Sequence, residues 1–263
     1  AKRVANTDRP IACLLSGGLD SSLITSLVVK HCKYKPETYS IGLPGSEDTK
    51  YAKLVADHLG TKHTTIELTE DEFFEAIPKV IHTVESYDTT TIRASVPMFL
   101  LAKYIRDNTD IKVIFSGEGS DEASGSYLYF HKAPGPKEFQ DECIRLLKDV
   151  RFFDVLRGDK TISGAGLELR VPFFDKEFLN YYMGINPELK IVRDGMEKYL
   201  LRKSFENDLP HDIVWRRKDG FSDSVSSNEK LWYEIIQEHT NQLYPVIDNQ
   251  YVHLKPKDSE QLW

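Results

Sequence analysis

The chain has 263 residues and carries 34 Lys+Arg against 41 Asp+Glu, a formal net charge of −7, with 40% hydrophobic residues. This length is ample for a buried core in one large α/β domain or two small ones. The acidic balance argues against a nucleic-acid binder built on a broad basic surface, and the longest apolar stretch, Val96 to Ala102 with Pro97 inside it, is too short to cross a bilayer.

Taken in order, Ile11 to Leu15 is a continuous apolar run, the pattern of a strand buried on both faces. Ser-Gly-Gly follows, then a helix with Leu23, Ile24, Leu27 and Val28 on one face. Glu37 to Ile41 reads as a second strand. Tyr51, Leu54, Val55, His58 and Leu59 mark a helix, with Gly60 at its left-handed cap. Lys62 to Leu68 is the third strand. Thr69 and Glu72 form a capping box for a helix towards Glu85, which Pro78 is expected to kink or split. A helix through Phe99, Leu100 and Ile105 leads to a fourth strand, Ile111 to Phe115.

From about Lys137 the pattern is helical (139–156, 176–183 and 196–206), with no strand of comparable strength. The alternation predicts an α/β fold: a parallel twisted sheet with flanking helices, Rossmann-like, followed by a mainly helical C-terminal part. The expected division is 1–130 and 131–263, with the boundary near 127–136. Cys13, Cys32 and Cys143 form no CxxC pair or metal-ligand spacing and read as small core residues of a reducing, cytoplasmic environment. The start at Ala1-Lys2-Arg3 and the abrupt end at Leu262-Trp263 suggest a piece of a longer protein.

Two loops carry the chemistry. Ser16-Gly17-Gly18-Leu19-Asp20-Ser21-Ser22 lies between a buried strand and a helix. Paired glycines let amide N–H groups form an anion nest, and the following helix N-terminus also favours phosphate. Asp20 is a poor phosphate partner alone but a good one through Mg²⁺. The plainer alternative is a strand-to-helix turn capped by Asp20 or Ser21. The segment is neither a GxxxxGK[ST] loop nor a GxGxxG fingerprint. The second loop, Ser116 to Glu122, follows another strand and sets Glu118, Asp121 and Glu122 within five residues. It reads as a metal or acid/base site, the alternative being a solvated acidic turn.

Together these loops resemble the N-type ATP pyrophosphatases. Further segments are similar to the synthetase domain of the glutamine-dependent asparagine synthetase family. These are Tyr39-Ser40-Ile41-Gly42-Leu43, Tyr87-Asp88 with Thr90 to Ser95, Gly125 to Pro134, Glu168 to Phe173, Met196-Glu197-Lys198, and Trp215 to Lys218 with Phe221-Ser222-Asp223. The matches run in order from residue 11 to about 223.

The resemblance implies an adenine nucleotide alpha hydrolase-like fold and ATP-dependent asparagine synthesis through β-aspartyl-AMP, with pyrophosphate released and AMP then displaced by ammonia. It assigns Ser16, Gly17, Gly18, Ser21 and Ser22 to the β,γ-phosphates, and Asp20 and Asp121 to Mg²⁺. Leu15, Ile41 and Gly117 fall to adenine and ribose by backbone contact, and Ser116 to the nucleotide. Arg93, with Thr90 and Thr91, is assigned to substrate aspartate or phosphate. Glu118 becomes the base that takes the proton from ammonia, its pKa raised by crowding from Asp121 and Glu122, and Lys198 stabilises the α-phosphate.

The implied partners are aspartate, ammonia or glutamine-derived ammonia, and a glutaminase domain in cis or in trans, absent from this chain. A homodimer is compatible, and neither nucleic acid nor membrane is expected. Ser224, where relatives commonly carry Gly, departs from the pattern. The competing readings are a β-lactam synthetase-like or other acyl-adenylating amide ligase, a tRNA-modifying pyrophosphatase, which lacks its Cys pair here, and a non-catalytic adenine-nucleotide-binding module.

Overall fold

The first four expected strands all form, and the apolar runs among them, 11–14 and 113–115, are covered on both sheet faces, whereas Lys62–Glu67 at the sheet edge is mostly exposed or half-buried. In the computed structural model, which describes residues 1–217, 225–227, 230–244 and 256–263, the four are β1 (Ile11–Leu14), β2 (Glu37–Gly42), β3 (Lys62–Glu67) and β4 (Val113–Phe115). A fifth strand, β5 (Glu168–Arg170), completes a wholly parallel sheet in the order β3-β2-β1-β4-β5. Lys218, Phe221-Ser222-Asp223 and Ser224 lie outside the described residues.

After α1 (Lys2–Ala5), α2 (Leu19–His31) connects β1 to β2 and α3 (Glu47–Leu59) connects β2 to β3. α4 (Glu70–Val84) and α5 (Thr89–Asn108) connect β3 to β4. Then come α6 (Ser120–Ser124), α7 (Pro136–Asp149) and α8 (Asp154–Gly164) before β5. α9 (Lys176–Met183), α10 (Tyr199–Ser204), α11 (His211–Val214), α12 (Trp232–Leu243) and α13 (Ser259–Leu262) follow it.

The period-two alternation of a strand sorts its side chains between two cores. Ile11 and Cys13 join Val113 and Phe115 on one face, packed with Leu23 of α2, Val55 of α3 and Ile213 of α11. Ala12 and Ile114 face the other way, with Val80 of α4, Ile105 of α5, Ile162 of α8 and Trp232 of α12. Cys13 and Cys143 are buried free thiols, each pushed up to about 12 by burial.

Several local expectations are met at atomic level. The Glu72 backbone N–H donates to Thr69 Oγ1 (3.3 Å) while Glu72 Oε2 accepts from the Thr69 backbone N–H (2.8 Å), closing the capping box. Gly60 ends α3 in the left-handed region at φ 66°.

Four expectations are corrected. Pro78 does not split its helix, which is assigned without a break from Glu70 to Val84. The helix expected over 139–156 breaks at the 3-10 turn Val150–Phe152 and resumes as α8. The helix expected from Met196 begins at Tyr199, because Lys198 sits at φ 56° and cannot belong to a right-handed turn. β5 was not expected as a strand at all. Two of its three residues are charged, so pairing with β4 orders it, in the register Phe115↔Arg170.

His63 tests the polar packing at the β2–β3 edge. Its ring nitrogens lie 3.0 Å from Thr38 Oγ1 and 3.0 Å from Ser40 Oγ. Burial, helped by nearby Lys53, lowers its pKa from 6.5 to about 4. Between those values the unfolded chain binds the proton more tightly than the folded one, so the stability contributed by neutral His63 is complete above pH 6.5 and lost as pH falls towards 4. His63→Gln is therefore expected to flatten the dependence of the urea midpoint on pH within that window. An unchanged slope would contradict this account.

Candidate active site

In the order β3-β2-β1-β4-β5, connections leave β1 and β4 in opposite directions, opening a crevice between their carboxyl ends, where open α/β sheets hold ligands. The two motif loops leave these two strands, so the sheet brings together what the sequence separates by about a hundred residues. Close backbone approach then fixes them. Gly17 has φ 78°, and a Cβ there would lie 2.4 Å from the Ala52 backbone nitrogen on α3. A Cβ on Gly117 would lie 2.6 Å from the Asp20 carbonyl carbon and the Ser21 nitrogen, so the two loops press against each other.

The first loop is held by its own hydroxyls. The Ser16 backbone N–H donates to Ser21 Oγ (3.2 Å), the two serine hydroxyls lie 3.1 Å apart, and Ser21 Oγ donates to the Gly18 carbonyl (3.2 Å). Ser16, Gly18, Asp20 and Ser21 line a cavity of about 130 Å³, closed on its far side by Lys198, Arg216 and Arg217. Asp48 pairs with Arg216 at 3.3 Å, and the buried Arg202 pairs with Glu197, so part of the positive charge is offset. Ser22 does not reach this cavity. Fully buried on α2, its side chain is turned into the protein, and its hydroxyl has no hydrogen-bond partner among the described residues.

A second cavity of about 160 Å³ adjoins the first and shares Ser16, Asp20, Ser21 and Asp121 with it. Its walls include Leu15, Ile41, Ser116 and Gly117, with Met98 and Leu101 of α5. Glu118 and Arg157 also line it. The first cavity is charged and hydroxyl-rich, the second largely apolar.

Lys198 stands at the junction. Only 2% exposed, its Nζ donates to Asp20 Oδ2 and to Asp121 Oδ1, both at 2.5 Å. Burial lowers its pKa, but Asp121 and Asp20 outweigh that, and the ammonium is held above its ordinary value. The two carboxylates expected to hold Mg²⁺ thus share a protein cation. Among the described residues, no group of three or more His, Cys, Asp and Glu is arranged to hold a metal. Buried Asp20 Oδ1 nonetheless has no hydrogen-bond partner among the described residues, so Asp20 offers an oxygen that fits a cation.

Glu118 is buried, and burial is the first cause of a pKa raised to about 7, with Asp154 and Asp121 adding to it and Arg157 opposing. The crowding expected from Glu122 takes a different form. Glu122 turns to the Tyr127 hydroxyl (2.5 Å) and is itself raised to about 8, by burial and by its hydrogen bond with Asp154.

Arg93 is not brought to either cavity. Its Nε donates to Glu260 of α13 (2.6 Å) and its second nitrogen pairs with the other carboxylate oxygen, so the bidentate partner is within the chain. Thr90 is exposed, and Thr91 is buried with its backbone N–H donating to Asp88 (2.8 Å), a capping role. Sequence reasoning did not single out Asp154 or Arg157 and gave Tyr127 no chemistry. Only spatial placement makes these three visible: Asp154 and Arg157 face Glu118, and Tyr127 bonds to Glu122 and Asp154.

Gly17 and Gly18 offer a contrast. Gly18 has φ −72°, and a Cβ there would meet nothing closer than Ser16 Oγ at 3.5 Å. Gly17→Ala is expected to lower stability by at least about 1–2 kcal/mol from its left-handed backbone alone, with the collision against α3 added, while Gly18→Ala is nearly neutral. Urea denaturation of both variants checks this; equal effects would contradict the packing.

The Asparagine synthase family model matches residues 1–138 and 132–262. The chain is 49% identical over 245 residues to asparagine synthetase (glutamine-hydrolyzing) of Homo sapiens, covering 90% of this chain and 44% of that protein. The protein of the same name from Gallus gallus is 49% identical over 241 residues, covering 89% and 43%. The chain therefore spans less than half the length of these relatives. Among solved structures, NMN synthetase from Francisella tularensis shows a remote likeness, with 16% identity and a TM-score of 0.41 over 97% of this chain and 83% of that one. With the family pattern matched along almost its whole length, the chain belongs to the asparagine synthase family.

Proposed function

We propose that this chain activates the side-chain carboxylate of aspartate with ATP and transfers the acyl group to ammonia, giving asparagine, AMP and pyrophosphate. The observation that carries this reading is the pair of adjoining cavities at the β1–β4 crevice, with Asp20 and Asp121 in the wall between them and Glu118 in the second. The β,γ-phosphates of ATP fit the first cavity, over Ser16, Gly18 and Ser21. The nucleoside fits the second, against Leu15, Ile41, Ser116 and the Gly117 backbone. Gly17 shapes the loop against α3 without lining either space.

A carboxylate oxygen of aspartate attacks the α-phosphorus and the bond to pyrophosphate breaks. Lys198, Arg216 and Arg217 offset the charge that accumulates on the leaving group. Asp20 and Asp121 would hold a divalent cation such as Mg²⁺, which when bound neutralises further charge on pyrophosphate. The ammonia nitrogen then attacks the acyl carbon, the carbon–oxygen bond breaks, and AMP departs with that oxygen. Glu118 receives the proton the nitrogen must lose. A carboxylate with a pKa near 7 is about half ionised at neutral pH and basic enough for that transfer. The ammonia source is glutamine hydrolysis by a glutaminase unit, and the cytoplasm is the expected compartment. Among the described residues, no helix is long and apolar enough to cross a membrane.

Glu118→Gln is expected to keep aspartate-dependent exchange of pyrophosphate into ATP and to lower ammonia-dependent asparagine formation by roughly 10²–10⁴-fold. In the unsubstituted chain, the amide-forming step, referred to free ammonia, should decline as pH falls below about 7, where Glu118 becomes protonated. Full asparagine formation by the variant would overturn the assignment of the base.

A further inference from the structure

We propose that Arg157 and Gly158, consecutive residues of α8, position the Glu118 carboxylate for the amide-forming step. This rests on the function proposed above. Arg157 Nη2 donates to Glu118 Oε1 at 3.2 Å and also pairs with Asp154. Asp154 is itself held in place, because its Oδ2 accepts from the Tyr127 hydroxyl at 3.3 Å. One guanidinium nitrogen, Nη2, thus bridges both carboxylates, so the place of Asp154 fixes where Arg157 can hold Glu118.

Gly158 fixes the other oxygen by absence. A Cβ at position 158 would stand 2.3 Å from Glu118 Oε2. The carboxylate therefore lies in space that any other residue would fill, with one oxygen held by Arg157 and the other resting against the α8 backbone. The remaining charged groups facing Glu118 are Asp154 from α8 and Asp121 from α6, with Asp20 lining the same cavity. Among the described residues lining that cavity, Arg157 is the sole cation. A displacement of about 1 Å at a reacting group can cost on the order of a hundredfold in rate, so this placement governs catalysis without touching substrate.

The test separates the two half-reactions. Gly158→Ala should fold, since Ala is the better helix former and the added methyl displaces only flexible side-chain ends, those of Glu118 and Leu169. Aspartate-dependent exchange of pyrophosphate into ATP is expected to stay within about twofold of the unsubstituted chain, while ammonia-dependent asparagine formation falls at least about tenfold, in kcat rather than in the KM for ATP. Arg157→Gln, which removes the cationic nitrogen that Glu118 and Asp154 share, should likewise lower asparagine formation in kcat. Combined with Glu118→Gln, neither substitution should add a further loss.

Unchanged asparagine formation, parallel loss of both half-reactions, or full additivity with Glu118→Gln would overturn the inference. An unsubstituted chain showing no aspartate-dependent exchange would overturn the functional reading itself, and this inference with it.

Discussion

A buried ammonium between two carboxylates holds this structure together where its chemistry is expected. An isolated Lys side chain at 2% exposure would be driven to its neutral form. Asp20 and Asp121, each 2.5 Å from Nζ, keep Lys198 charged. The contact joins three distant parts of the chain: the loop after β1, the loop after β4, and the turn before α10. Removing one partner of such a buried pair typically costs about 3–5 kcal/mol, because the remaining charge is stranded. The local backbone is shaped to deliver this side chain. Asp194, Gly195 and Lys198 all have positive φ, and the turn closes through paired backbone hydrogen bonds between Arg193 and Met196.

The same site divides its carboxylates into two populations by environment. Asp20 and Asp121 face the Lys198 ammonium, placed to share positive charge with a phosphorylated ligand. Glu118 and Glu122 lie deeper, and burial raises them to about 7 and about 8. Asp154, on the next helix, is pushed up by burial but held below its ordinary value chiefly by Arg157. A proton is thus retained within the Glu122–Asp154 pair while Glu118 is poised near neutrality. Environments that drive neighbouring acids apart are how one fold supports both charge stabilisation and proton transfer.

Much of this was legible in the sequence, for identifiable reasons. Buried parallel strands announce themselves as apolar runs, and glycine-rich loops at their carboxyl ends mark where backbone must approach backbone. Gly17 and Gly117 are both explained by such contacts. What stayed hidden depends on tertiary neighbours. β5 is a strand because β4 is beside it, and Arg157 matters because α8 lies over Glu118. Ser22 and Arg93 belong to motifs rich in hydroxyls and charge, yet helix geometry turns Ser22 into the core, and Arg93 meets Glu260 from the far end of the chain. Motif membership does not reveal which way a side chain points.

The account's central claim is that the aspartate carboxylate is activated by bonding to the α-phosphate and released by attack on carbon. Aspartate carrying ¹⁸O in its side-chain carboxylate, turned over with ATP and ammonium, tests it by mass spectrometry of the nucleotide product. The account predicts AMP containing one labelled oxygen for each asparagine formed. Unlabelled AMP, or ADP as the nucleotide product, would contradict it.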